Sequence, residues 1–441
     1  MTSSIWTVRE LRKSLASGAV RPGALADEAL ARANGNAGHN TYLWQDAAWT
    51  RAEAKRAEAV PQGTGGAFGD GRGALWGLPV SVKDCFDLAG TPTSCGVRFY
   101  RDVNGIAERD SWLVERLRAE GSVITGKTHL HPLAYGITGE NPEFGDCVQP
   151  GRPDALTGGS SSGAVASVLE GSAVAAIGTD TGGSVRAPAS LSRLAGYRAT
   201  IGRGDWRGGA HLAVSFDTMG WLFRDLEDAP LLAGIFAPAG LDSAVSSERG
   251  FARVGVVPDE FLHDCEPEIV ECFRATIREL EGLGLEVRTI DASWWAESIE
   301  IFAPIQAWEA ARLHAGHFEH FERSIRERLE GGARITDAEV AGLRGRHDEF
   351  RARMDAMFAE HELILLPCAP MAKLTVRTDH TKTRQKFLRY TTPFSLAGVP
   401  AGALPCSAGG MQLGAARGQD EALVELMARL GASRKAAALR S

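Results

Sequence analysis

Apolar positions recur along this chain with two different spacings, and the alternation between them sets the expected elements. Over Thr7–Ala33 they fall at helical spacing, which predicts two amphipathic helices around a break at Gly18–Pro22. Ala47–Ala59 repeats that pattern, and Pro61–Gly73 reads as a glycine-rich linker. Leu78–Val82 (LPVSV) is a short apolar run, a strand that ends at Lys83-Asp84. Asp110 or Ser111 can cap a helix over Trp112–Glu120, which Gly121 ends, and Ser122–Thr125 is β-rich. Ala164–Leu169 reads as a helix of small residues and Ala173–Ile177 as a buried strand. A helix is expected to begin near Val185, because Pro188 is tolerated only in a first turn. Asp259–Gly284 is helical and leads to a strand at Leu285–Ile290. Trp294–Arg353 is charged and helical, with an interruption expected at Gly331-Gly332. Leu363–Pro367 is a strand, and Glu421–Leu430 is a last helix with one apolar face. Strands and helices alternate without internal repeats or a low-complexity tail, so the class is α/β.

Composition changes this picture at one point. Glycine contributes 51 of 441 residues, against about 7% in average proteins. The excess is uneven: Gly158 to Gly202 carries nine glycines and eight serines but only five charged residues, Glu170, Asp180, Arg186, Arg193 and Arg198. Bulk charge points away from other functions. A net charge of −7 argues against a general nucleic-acid binder, and no apolar run reaches the ~20 residues of a membrane helix. The start, MTSSIWTVRELRKSLASG, has neither an apolar core nor a cleavage site for a signal peptide. Seven scattered cysteines without a CxxC indicate neither a disulfide framework nor a thiolate metal site. The expected location is the cytoplasm.

Three motif matches fail on context. Gly121 to Thr128 fits the phosphate-loop pattern GxxxxGK[ST], but Val123, Ile124 and Thr125 are strand residues preceded by a helix, where that loop needs the reverse order. Gly159 to Gly163 fits GxSxG, but Arg152–Thr157 contains Pro and Asp and is no core strand to carry a nucleophile elbow. Asp180-Thr181-Gly182 resembles half of an aspartic-protease site, and no second half exists.

The window itself suggests chemistry. Ser184 falls where the strand after Ala173 ends and the next helix starts. Backbone N–H groups of Thr181, Gly182, Gly183 and Ser184 are then free to converge on an anion, aided by the helix N-terminus. A serine needs a base in reach, and none of the eleven histidines sits in a recognisable pairing. Lys83 is the candidate, since burial lowers a lysine pKa and Lys83 ends an apolar strand.

The runs GLPVSVKD, GKT, TGGSSSGA and GTDTGGSVRAPAS stand in that order and at spacings that resemble the amidase signature family, most strongly over Gly77–Trp221. The N-terminal helices look like that family's arm, and Thr391–Pro405 looks like its late strand-and-loop segment. GENPEFG and SFDTMGW are similar, more weakly, to indole-acetamide hydrolase-type members. The resemblance implies a single α/β domain over 1–441 with a mixed sheet of about eleven strands flanked by helices. Its parts would be an arm over 1–62, a catalytic core over 63–230, a mainly helical segment over 245–360 and a C-terminal part of the core over 361–441. It further implies that Lys83 is the catalytic lysine, Ser160 the bridging serine after a cis peptide at Gly159–Ser160, and Ser184 the nucleophile. The implied reaction is hydrolysis of a small-molecule amide through an acyl-enzyme, without metal or cofactor. Ser160 would take the proton of Ser184 and pass one to neutral Lys83.

The chain departs from the family pattern at Ser162 and Ala164, in the unusual 200–213 segment, and after Pro405, where it looks shortened. Tyr135, Trp206, Phe394 and the segment Arg377–Tyr390 could line an acyl pocket, beside Gly158 and Gly159. Arg384 or Arg389 could meet a substrate carboxylate, although a solvated basic loop is the simpler reading. Asp180 and Arg186 are expected to hold the nucleophile loop, and Glu319–Arg328 and Arg344–Arg353 to be solvated faces. Two alternatives remain open: the glutaminase component of an amidotransferase with a partner chain, and an inactive scaffold. A homodimer is the self-assembly considered.

Overall fold

The computed structural model describes residues 6–60, 72–237 and 250–439. In chain order its strands are β1 (Tyr42–Trp44), β2 (Pro79–Lys83), β3 (Val123–Thr128), β4 (Val148–Gln149), β5 (Arg152–Leu156), β6 (Ala175–Asp180), β7 (Ala195–Arg198), β8 (Thr218–Phe223), β9 (Arg253–Val256), β10 (Glu286–Thr289), β11 (Leu363–Pro367), β12 (Ala401–Pro405) and β13 (Gly410–Ala415). Eleven of them form one mixed sheet in the order β1-β3-β2-β6-β8-β7-β12-β13-β11-β9-β10, and β4 and β5 form a separate ribbon. The neighbours β3, β2 and β6 run parallel, whereas β6, β8, β7, β12, β13 and β11 alternate direction.

Helices cover the sheet. α1 (Val8–Ala16) opens on a capping box between Thr7 and Glu10, and α2 (Pro22–Gly35) has proline in its first turn. α3 (Ala47–Glu58) follows β1, and α4 (Arg98–Asn104) and α5 (Trp112–Ala119) lie between β2 and β3. The Ser111 hydroxyl caps α5 by accepting from the Val114 amide. α6 (Ser162–Glu170) and α7 (Arg186–Ser192) flank β6, and α8 (Ala229–Ala233) follows β8. α9 (Pro267–Gly282) links β9 to β10; α10 (Glu297–Leu313), α11 (Arg323–Ala333) and α12 (Asp337–His361) precede β11; α13 (Thr383–Ala397) and α14 (Asp420–Ala438) complete the chain order. The result is one large α/β domain, as expected. Among the described residues no helix is long and apolar enough to cross a membrane.

Most expected elements are present, and the differences have physical causes. β7, β8, β9, β12 and β13 carry no alternating signal. β8 and β13 are buried at every position, so no polar face marks their period. Gly331 and Gly332 do not interrupt a helix but lie in the last turn of α11. A Cβ on Gly332 would stand 2.0 Å from the Ala307 carbonyl of α10, so glycine permits close helix contact. The break falls at 334–336, where Thr336 caps α12. Thr391–Ala397, expected within a strand-and-loop segment, is instead the end of α13, and only Ala401–Pro405 is a strand. The linker expected over Pro61–Gly73 lies almost wholly outside the described residues.

Candidate active site

β2 and β6 are adjacent and parallel, and pair Val82 with Ile177. Their carboxyl ends therefore deliver Lys83 and Thr179 to the same edge of the sheet. A ligand crevice forms at such an edge in open α/β sheets. Lys83 is completely buried, and its Nζ lies 2.8 Å from Ser160 Oγ, 3.1 Å from Ser161 Oγ and 2.7 Å from Thr179 Oγ1. Burial pushes the ammonium down from 10.5 to about 8, with Asp217 and Asp180 among the groups pulling the other way. A neutral amine offers two N–H donors and one lone pair. With Ser161 and Thr179 accepting the two protons, the lone pair is left for the Ser160 hydroxyl.

Ser160 follows a cis peptide at Gly159–Ser160. The Gly159 amide donates to the Ile137 carbonyl at 2.7 Å, and the His131 amide donates to the Ser160 carbonyl at 3.1 Å. Ser162, the departure from the glycine-rich pattern, has a partner of its own. Its hydroxyl lies 2.7 Å from Nδ1 of His129, whose Nε2 lies 2.8 Å from the Gly145 carbonyl. A carbonyl accepts only, so Nε2 carries the ring proton and Ser162 donates to Nδ1. Ala164 is buried in the close contact of α6 with the sheet.

Ser184 lies on the turn between β6 and α7, and its carbonyl accepts from the Ser161 amide at 3.3 Å, so the two serine-bearing turns touch. Gly183 adopts φ +117, and a Cβ there would stand 2.8 Å from Thr391, so both conformation and space call for glycine. Asp180 organises the turn. Its carboxylate accepts from the amides of Gly183 (2.9 Å), Val185 (3.1 Å) and Arg186 (3.3 Å). The expected set of four oxyanion donors therefore needs a correction, because Gly183 N–H is committed to Asp180. Among the described residues the amides of Thr181, Gly182 and Ser184 have no protein acceptor.

Asp180 is itself buried between two buried guanidinium groups, Arg186 at 2.9 Å and Arg198 at 2.8 Å. Burial alone would raise its pKa, and the two arginines hold it well below the usual carboxylate range. The role expected for Asp180 and Arg186, holding the loop, fits these contacts. Asp180→Asn leaves two buried cations short of their counter-charge, a defect of about 3–5 kcal/mol. The expected result is a large drop in the denaturation midpoint, read by chemical unfolding.

The 200–213 segment reaches the same turn. Trp206 stacks on His211 at 4.2 Å and packs near Phe86. His211 Nδ1 lies 2.9 Å from Asp217, which accepts from Thr181 Oγ1 at 2.6 Å. Phe394 is not with these groups. It is fully buried in the core against Phe358, and a Cβ on Gly414 would lie 2.7 Å from its ring. Tyr135 is buried beneath two arginines, with Arg328 4.3 Å and Arg384 5.8 Å from its ring. Arg328 is thus no solvated residue, and Arg384 and Arg389 lie on α13 rather than in a loop. Arg389 is engaged by Asp264 and the Phe261 carbonyl. Sequence reasoning missed Ser161 and Thr179 as lysine partners, and His131. The only local signals were the serine run and the THLHP stretch. Among the described residues no cluster of three His, Cys, Asp or Glu side chains could hold a metal ion.

The Amidase family profile matches residues 25–424. The 2-amino-5-chloromuconic acid deaminase of Comamonas testosteroni is 30% identical over 389 residues, which cover 83% of this chain and 81% of that protein. A glutamyl-tRNA(Gln) amidotransferase component from Synechococcus sp. (strain CC9605) is 30% identical over 462 residues, 94% of this chain and 91% of that one. A crystal structure of an amidase superposes with a TM-score of 0.85 at 31% identity, covering 97% of this chain and all 100% of the other. With profile, relatives and fold agreeing over nearly the whole length, the chain belongs to the amidase signature family.

Proposed function

We propose that this protein is an amidohydrolase that cleaves the C–N bond of a small amide carrying a carboxylate, releasing a carboxylic acid and ammonia or an amine. The observation that carries the amidase part is the buried Lys83–Ser160 hydrogen bond on an amine pushed down to about 8. In this reading Ser184 Oγ attacks the amide carbonyl while Ser160 accepts its proton and gives its own to Lys83. Amides of Thr181, Gly182 and Ser184 are the candidate donors to the oxyanion. The relay then returns a proton to the leaving nitrogen, which cannot leave as an anion. Water enters, and the same relay in reverse frees the acid.

The anionic substrate is supported by a cavity of about 580 Å³ whose walls include His131, Ile137, Arg328 and Arg384. It borders the proposed site through His131, whose amide holds the Ser160 carbonyl, and Ile137, whose carbonyl holds Gly159. Arg328 reaches the Tyr135 carbonyl, and Arg384 reaches Gln306. Neither meets an acidic side chain at ion-pair distance among the described residues. Of the acidic groups on the wall, Glu327 pairs with Arg323 and Asp379 bonds Thr381. Glu140 completes them. Burial pushes Arg328 down to about 10 and lowers Arg384 as well, the mark of two cations short of a counter-charge. A neutral aryl-acetamide, as the likeness to indole-acetamide hydrolases suggests, would leave them so.

The test is ammonia release from matched pairs: the monoamide of a dicarboxylic acid and its neutral methyl ester. The acid is expected to be preferred, and Arg384→Met and Arg328→Met each to lower its kcat/KM by about 10–100-fold, with little change for the ester. A preference for the ester would overturn the anionic reading. A second reading, the glutaminase component of a larger enzyme, has the amidotransferase relative in its favour. Glutamine belongs in the same panel, and turnover that appears only with an added partner chain would favour that reading.

A further inference from the structure

Away from the proposed site, α9 and the turn joining β12 to β13 bring two cysteines together. Cys272 lies on the inner face of α9 and is buried, and Cys406 immediately follows β12. Both side chains border one cavity, and the Cys406 thiol donates to the Leu404 carbonyl at 3.6 Å. Around them the contacts interlock: Cys272 Sγ lies 3.5 Å from Ser407 Oγ, and Cys406 Sγ lies 3.6 Å from the hydroxyl of Thr276, one helical turn beyond Cys272. The turn is tight, with the Cys406 amide donating to the Gly409 carbonyl at 2.7 Å. It also directs the amides of Ala408 and Gly409 at the Cys272 sulfur. The cavity, about 420 Å³, is lined by both cysteines together with Arg193, Arg434, Glu271 and Glu279, and Arg434 is paired with Glu279 at 2.7 Å. The wall charges balance, so it is the Ser407 hydroxyl and the turn beside Cys272 that favour a thiolate there.

We propose that Cys272 and Cys406 form a dithiol that a hydroperoxide oxidises to a disulfide, with Cys272 as the attacking thiolate and Cys406 as the resolving thiol. The Cys272 sulfur attacks the terminal peroxide oxygen and the O–O bond breaks. The alcohol or water derived from the peroxide leaves with a proton, and Cys272 becomes a sulfenic acid. The Cys406 sulfur then attacks Cys272, the S–O bond breaks, and the hydroxide leaves as water with the Cys406 proton. Two thiols lose two electrons and the peroxide gains them. Hydrogen bonds from Cys406, Ser407 and the turn amides pull the Cys272 thiol down to about 5 against the opposing effect of burial, while Cys406 is raised, which fits the division of labour. By contrast, burial pushes Cys265 up to about 11 and Cys85 up to about 12.

The bond would staple α9 to the turn that grips α7, since the Gly410 amide donates to Ser190 Oγ at 2.8 Å. The test is treatment of the whole chain with hydrogen peroxide, followed by thiol titration and non-reducing peptide mapping. The expected result is loss of two of the seven thiols, a mass decrease of about 2 Da and one cross-linked peptide joining Cys272 to Cys406. Cys406→Ser is expected to stop at a sulfenic acid on Cys272, trapped by a dimedone probe, and Cys272→Ser to give neither product. Seven retained thiols, a disulfide between other cysteines, or dimedone labelling spread evenly over the cysteines would each overturn the proposal.

Discussion

Ser184→Ala is expected to lower kcat by about six orders of magnitude, the loss met when the nucleophile of a serine relay is removed. The variant should remain folded. The bond that ties its turn to the neighbouring one uses the Ser184 carbonyl, not its hydroxyl, and the Asp180 network that shapes the turn is untouched. Denaturation midpoints should therefore differ by no more than about 1 kcal/mol in stability, the ordinary range for such a change. Adding Lys83→Ala or Ser160→Ala to it should cost little more, because groups that act as one unit are strongly non-additive. Single-turnover ammonia release of the single and double variants measures both effects. A serine-directed fluorophosphonate should label the parent at Ser184, label the Lys83 and Ser160 variants far more slowly and leave the Ser184 variants unlabelled. A Ser184→Ala enzyme within tenfold of the parent would exclude the acyl-enzyme route. Full activity loss with a collapsed midpoint would instead make Ser184 structural.

The parts of this site that could be read in the sequence are those built locally. A lysine at the end of an apolar strand, serines beside paired glycines and a serine at a strand-to-helix turn are all short-range patterns. What could not be read depends on residues far apart in the chain. Thr179 meets Lys83 only because β6 lies beside β2, and Arg198 meets Asp180 only because β7 returns beside β8, which flanks β6. Arg186 reaches Gln412, 226 positions away. The place of Arg328 on a cavity wall was obscured for the same reason. Arg328 sits in a run of alternating charge that has every mark of a solvated face, and only the packing of α11 over Tyr135 turns it inward. Gly183 shows the opposite limit: its glycine was legible, but its amide proton, expected at an oxyanion, is held by Asp180 instead. Sheet strands were legible as short apolar runs even where every position is buried, as in β2, β3, β6 and β11. They were lost in β8 (TMGWLF) and β13 (GMQLGA), where glycine interrupts the apolar run.

Lys83→Arg is expected to be the second most damaging change, about 10⁴-fold in kcat/KM, and the most diagnostic. It retains a cation of similar length, yet a guanidinium has no lone pair to accept the Ser160 proton near neutral pH. The parent enzyme makes the same point through pH. Below about 8 the buried amine is protonated and useless as a base, so kcat/KM should rise about tenfold per pH unit, then level off once Lys83 is neutral. The sign follows from burial, which penalises the ammonium and brings deprotonation down from 10.5. At pH 7 the shift leaves about 300 times more free amine than an exposed lysine would have. If Lys83 only supported the fold, Lys83→Arg would change stability and leave the shape of the pH profile intact. If it is the base, the ascending limb must vanish with it, because Ser160, Ser161 and Thr179 supply no other group that titrates there.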